Sequence, residues 1–203
     1  HLEQARTQLL IAAGNAPDDA SIEMTIAGML ESAQDPVNAL ELDQKALQHK
    51  PPQLAALLGA GRSAYALGRF LLAKQYLERA LNHPGFEKYP SDQQTVYRNM
   101  LADSDHILML DPGENLTVRA RAERVLANRK TAQERLASCL STKSTLPKTI
   151  RLMQLERDPQ LEQTLMQLVY QTETITAQQC GAPTGNDALL LKMAQNPEAV
   201  EQP

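Results

Sequence analysis

Apolar residues along this chain return every three or four positions, and no long stretch alternates apolar with polar, so the pattern predicts helices throughout. Residues 1–13 carry Leu2, Ala5, Leu9, Ile11 and Ala12 at helical spacing, and Gly14 and Pro17 end the run. A second helix is expected from Asp19 or Ser21 to Ser32, with Ser21 as N-cap and Ile22, Ile26, Met29 and Leu30 as its apolar face. Asp35-Pro36 reads as N-cap and first-turn proline, a position where the missing N–H costs nothing. The third helix then runs to about His49, with Val37, Leu40 and Leu47 turned inward. Pro51-Pro52 closes it and opens a fourth, which ends near Gly68. Residues 54–84 as a whole read as a helical hairpin. Residues 91–110 predict one long helix with Ser91 as N-cap and Val96, Met100, Leu101, Ile107 and Leu108 inside, stopped by Asp111-Pro112-Gly113. Beyond it the pattern gives a basic amphipathic helix over 117–140, a linker over 141–147 and a shorter helix near 148–157. A longer helix over 159–179 ends at Gly181, Pro183 and Gly185, and a last short one over 188–194 is capped by Asp187. Residues 196–203 are expected to fray.

The hairpin is one member of a series. Ala39 to Ala73, Ala46 to Ala80, Leu47 to Leu81 and His49 to His83 all span the same interval, and one step back lands on Ala5 and Ala12. Gly61, Gly68, Phe70, Ala73 and Ala80 fall at the spacings of a tetratricopeptide repeat, a helix–turn–helix unit of about 34 residues that this stretch resembles. Small residues at those places let helix backbones approach, and each hairpin keeps an apolar face that must stack on a neighbour. The resemblance implies an all-α chain built as a right-handed α–α superhelix with a C-terminal helical extension. Its repeats occupy 1–90 (a half repeat over 1–17, full repeats over 20–53 and 54–87) and the extension 91–195, packed on the solenoid. The first full repeat departs from the pattern, with Glu23, Ala27, Gln34 and Pro36 where Leu57, Gly61, Gly68 and Phe70 stand in the second. Beyond Pro90 the phase fails, since Ile107 and Glu114 stand where Ala is due.

Composition narrows the classes. Aromatics are 3% of 203 residues, there is no Trp, and the net charge of −4 gives no general affinity for nucleic acid. No apolar run approaches the ~18 residues of a membrane span. The chain opens on His1, which suggests a processed or excised segment. Charge is uneven: seven acids and no base lie between Asp18 and Asp43, and six bases with two acids between Arg119 and Arg135. Solvated faces are the plainer meaning of such runs; steering of partners, or association of copies end to end, is the functional one.

Little in the sequence carries chemistry. Cys139 and Cys180 close two helices separated by one intervening helix, so a disulfide is geometrically allowed and would mean an oxidising compartment; two reduced thiols are the alternative. Gly59-Ala60-Gly61-Arg62-Ser63-Ala64 matches G-x-G-x-x-A, but a dinucleotide site needs a strand before the glycines and the preceding residues read as helix. The four histidines show no ligand spacing, and nothing resembles a nucleophile elbow, a zinc-protease motif or a phosphate loop. Asn115-Leu116-Thr117 is a glycosylation sequon, relevant only in a eukaryotic secretory host. No enzyme activity, cofactor or metal is expected.

The resemblance implies binding along a concave side lined by the first helix of each repeat. By phase the lining positions are Ser21, Met24, Gly28 and Glu31, then Ala55, Leu58, Arg62 and Tyr65, then Asp92, Val96 and Asn99. Met24, Glu31, Leu58, Arg62, Tyr65, Val96 and Asn99 are the candidate groove residues, with Arg62 and Tyr65 the best anchors by type. Repeats that clamp a chaperone's terminal carboxylate carry Lys and Asn where this chain has Met24, Gly28, Gly59 and Gln93, so that mode is not expected. The function implied is a non-catalytic scaffold for an unidentified protein or peptide. The alternatives are a helical accessory domain of a larger protein and a self-assembling module. The overall look is similar to bacterial repeat proteins exported to the periplasm; a cytoplasmic location is the alternative.

Overall fold

The computed structural model describes residues 1–113, 115–140, 146–147 and 149–196. Among them every regular element is helical: α1 (Leu2–Asn15), α2 (Ala20–Ser32), α3 (Pro36–Ala46), α4 (Leu54–Ala66), α5 (Phe70–Leu81), a 3-10 turn (Phe86–Lys88), α6 (Ser91–Leu110), α7 (Val118–Leu140), α8 (Leu152–Leu155), α9 (Pro159–Cys180) and α10 (Gly185–Ala194). None of these helices is long and apolar enough to cross a membrane. The chain divides into two compact units, His1–Asp105 and His106–Pro203.

In the first unit, helices pack on their sequence neighbours: α1 on α2, α2 on α3, α3 on α4 and α4 on α5. The two hairpin turns are the same turn. Gln34 (φ 59°) and Gly68 (φ 73°), which occupy equivalent repeat positions, both take the left-handed conformation. The next N–H in each case reaches back to close the turn, Asp35 N–H to Leu30 C=O at 2.9 Å and Arg69 N–H to Ala64 C=O at 2.9 Å. Glycine adopts that conformation freely and glutamine does not. Alanines at the repeated positions, Ala39, Ala46, Ala73 and Ala80, are fully buried. Gly61 permits the α4–α5 crossing: a Cβ there would meet Leu77 Cγ and Cδ2 at 2.8 Å. Leu40, Leu58, Leu77, Phe86 and Tyr97 fill the core around these contacts.

Several expected details differ. Asp19, not Ser21, caps α2, its carboxylate accepting from the Ser21 and Ile22 N–H groups at 2.9 and 3.1 Å. Ile22 and Met29 are exposed, because α2 turns Ala20, Glu23, Ile26, Ala27 and Leu30 inward. α3 ends at Ala46, and its buried stripe is Ala39, Leu40, Asp43 and Ala46, which leaves Val37 outside. On α6 the exposed Val96 yields the inward place to Tyr97. α6 starts at Ser91 itself and runs through Ala102, where the register would next demand a turn.

In the second unit α7 lies along α9, with α8 and α10 against both. Arg124 donates to the Leu108 and Asp111 carbonyls at 2.7 and 2.6 Å, and Asn128 to that of Leu110 at 2.8 Å, so α7 satisfies the last carbonyls of α6. Asp158 caps α9 by accepting from Leu161 N–H at 3.1 Å. α8 is a single turn where a helix over 148–157 is expected. α10 begins at Gly185 after Thr184, so Asp187 sits inside its first turn and does not cap it. Most of the expected linker (141–145), Lys148, Glu114 and the tail 197–203 lie outside the described residues.

Candidate functional site

The repeat step aligns three rows of residues on α2, α4 and α6: Met24, Leu58 and Asp92; Gly28, Arg62 and Val96; Glu31, Tyr65 and Asn99. Side chains of these rows hold the three helices together. Arg62 Nε donates to Glu31 Oε1 at 3.0 Å while Arg62 Nη2 pairs with Glu31 Oε2. The same guanidinium donates through Nη1 to Tyr97 Oη at 3.2 Å, and Ser63 Oγ donates to Glu31 Oε1 at 2.9 Å. One turn further on, Tyr65 Oη donates to Asp103 Oδ2 at 2.5 Å. Burial, helped by that bond, pushes the Tyr65 phenol well above its usual range.

This network changes what each candidate residue can offer. Arg62 and Tyr65, the expected anchors, spend their polar groups inside the unit, and Glu31 is the receptor for one of them. Leu58 is 2% exposed and packs in the core, so it leaves the candidate surface. Met24 remains half-buried, and Val96 and Asn99 remain exposed. What stays accessible across the rows is Met24, Val96, Asn99 and the Asp92 carboxylate, with part of the Arg62 side chain, 43% exposed, beside them.

Asp43 lies beneath the network and was not among the expected site residues. It is 3% exposed, its Oδ2 has no hydrogen-bond partner, and a Cβ on Gly59 would fall 2.3 Å from that oxygen. Burial, reinforced by the Glu31 carboxylate and opposed by Arg62, raises its pKa to about 8. One signal was available: the equivalent residue of the next repeat is Leu77, so a carboxyl stands at a core position of the unit.

The acidic run is mostly absorbed by the fold. Asp19 and Asp35 cap helices, Glu31 binds Arg62, and Asp43 is buried. Glu23, itself buried, pairs with Lys45 at 2.7 Å, and Lys45 also reaches Asp18 at 3.3 Å. His49, expected to stand apart from carboxylates, has Nε2 3.4 Å from Glu23 and 3.7 Å from Asp18. Asp18, Glu23 and His49 are close enough together to ligate a cation, but the Lys45 ammonium already lies against both carboxylates. The basic stretch of α7 is spent likewise. Arg121 meets Glu162 at 3.3 Å, Arg124 holds carbonyls, and Arg135 donates to Thr176 Oγ1 at 3.0 Å and to the Gly181 carbonyl at 2.8 Å. Near Arg135, Glu173 is fully buried, and burial together with the neighbouring Asp187 raises its pKa to about 8. Gly59 and Gly61 of the G-x-G-x-x-A match are buried inside helix α4, facing Asp43 and Leu77.

Cys139 and Cys180 are paired as a disulfide with their Cα atoms 5.9 Å apart, within the normal span, joining the ends of α7 and α9. An open cleft of about 620 Å³, lined by Pro51, Pro52, Leu57, Glu78, Arg79, Asn82 and His83, lies at the α4–α5 ends and holds none of the candidate residues. Among known proteins, no family model, no curated protein and no solved structure matches the chain.

Proposed function

We propose that the chain is a non-catalytic scaffold of the tetratricopeptide kind, whose first unit holds a segment of another protein along the α2, α4 and α6 rows. The observation that carries this reading is the repeated turn. Gln34 and Gly68, one repeat apart, share their conformation and their hydrogen bonds, although one is a residue that disfavours it. A repeat that survives such a sequence change is selected as a shape, and stacked hairpins present a curved row of first helices. On this reading the solenoid comprises the hairpins α2–α3 and α4–α5, flanked by α1 and by α6. The ligand is read chiefly by Met24, Val96 and Asn99, with the Arg62 stem beside them. The disulfide supports an extracytoplasmic, oxidising location, such as a periplasm.

A photoactivatable residue replacing Met24 or Asn99, introduced into the protein in its native host, tests the reading. One dominant cross-linked polypeptide is expected from both positions and not from Gln75, an exposed site on α5. The same products from Gln75, or none from any position, would count against it.

A further inference from the structure

Asp18, Glu23 and His49 come from three segments that the α2–α3 hairpin brings to its open end: the loop before α2, the first turn of α2 and the stretch after α3. The repeat register shows what this corner needs as a piece of the fold. One step on, Pro52, Leu57, Arg79 and His83 stand in the places of Asp18, Glu23, Lys45 and His49, and all four line the open cleft at the ends of α4 and α5. That hairpin fills the inward place with the buried Leu57 and puts no carboxylate at either position. The two carboxylates of the first hairpin are therefore additions to the shape. Glu23 is the costly one: its side chain is 3% exposed, and its Oε2 accepts no hydrogen bond among the described residues.

The spacing of these groups fits a metal ion. Zn²⁺ held tetrahedrally at ~2.0–2.1 Å by nitrogen and oxygen separates its ligand atoms by about 3.3 Å. His49 Nε2 lies 3.4 Å from Glu23 Oε2 and 3.7 Å from Asp18 Oδ1, and the ligand atoms of the three residues all lie within 4.8 Å of one another. One imidazole with two carboxylates suits zinc or a neighbouring first-row ion better than Ca²⁺ or Mg²⁺, which prefer oxygen throughout. Lys45 is the competitor. Its ammonium lies 2.7 Å from Glu23 Oε1 and 3.3 Å from Asp18 Oδ1, but it sets one positive charge against two negative ones. Its side chain is 46% exposed, so it can turn out into solvent. We propose that Asp18, Glu23 and His49 bind a zinc-type divalent ion at the open end of the α2–α3 hairpin, in exchange for the Lys45 ammonium. The bound ion ties the loop before α2 to the segment after α3. It needs no polypeptide on the α2, α4 and α6 rows, so failure of peptide binding leaves it standing.

Isothermal titration of the full chain, freed of metal by a chelator, with Zn²⁺ reads the binding, and thermal unfolding reads its effect on the fold. One ion per chain is expected to bind and to raise the melting temperature. His49→Ala and Asp18→Asn, neither at a buried position, are each expected to weaken binding at least about tenfold. His83→Ala, the same position one repeat on, is expected to bind as the wild type does. Lys45→Gln removes the competitor. Its metal-free form is expected to melt lower, because buried Glu23 loses its counter-charge, and to bind Zn²⁺ about tenfold more tightly, with a larger gain in melting temperature. A Lys45–Glu23 pair that serves the fold alone gives the first of these effects without the other two. No binding of Zn²⁺, equal binding by wild type, His49→Ala and Asp18→Asn, equal binding of Ca²⁺, or no tightening in Lys45→Gln would each overturn the proposal.

Discussion

Asp43 gives the most quantitative handle on the first unit. Its carboxyl is pressed between α3 and Gly59, with Glu31 near enough to oppose its ionisation and Arg62 only partly compensating. The folded pKa of about 8 compares with about 3.9 in an unfolded chain. Between those values the folded protein keeps a proton that the unfolded chain has released, so stability falls as pH rises across the window and is greatest below it. One proton over the interval from pH 5 to pH 7 amounts to about 3 kcal/mol at most. Asp43→Asn retains the shape and removes the titration. Urea unfolding of both proteins at the two pH values isolates the effect, because every other titrating group, Glu173 included, cancels in the comparison. The variant is expected to gain roughly 2–3 kcal/mol relative to wild type between pH 5 and pH 7. An equal gap at both pH values would refute the assignment of a protonated buried carboxyl.

Three further outcomes follow from single contacts. Gln34→Gly relieves a left-handed conformation on the surface and is expected to stabilise the protein by about 0.5–1 kcal/mol in chemical denaturation. Gly61→Ala drives a methyl into Leu77 and is expected to cost about 1–3 kcal/mol, read as a lowered melting temperature. Replacing Cys139 and Cys180 together by Ser opens a loop whose ends are 41 residues apart, which in the chain-entropy view costs about 4 kcal/mol; unfolding of the oxidised wild type and the variant measures the gap, and no difference would contradict the pairing.

Helix positions were legible because apolar spacing and turn residues act locally. The long helix ending just before Asp111 and the hairpin around Gly68 both follow from Pro, Gly and Leu placement alone. Burial was less legible where helices meet through small residues. Ala20 and Ala27 take the inward side of α2 because alanine lets α3 approach, and the larger Ile22 and Met29 are left outside; a reading that puts the largest side chains inward reverses them. Electrostatics were the least legible. Arg62 was marked by residue type as an anchor for a partner, but Glu31 on the preceding hairpin and Tyr97 on the following helix claim it; such pairs become neighbours only once the hairpins stack. Lys45 and His49 meet Glu23 across the same hairpin, which no short-range spacing reveals.

That the α2, α4 and α6 rows bind a polypeptide segment is tested most directly by isothermal titration with the segment captured at Asn99. Met24→Glu and Val96→Glu, both at accessible positions, are expected to weaken binding at least about tenfold each while the Gln75→Glu protein binds as the wild type does. Unchanged affinity in both row variants would contradict the scaffold reading.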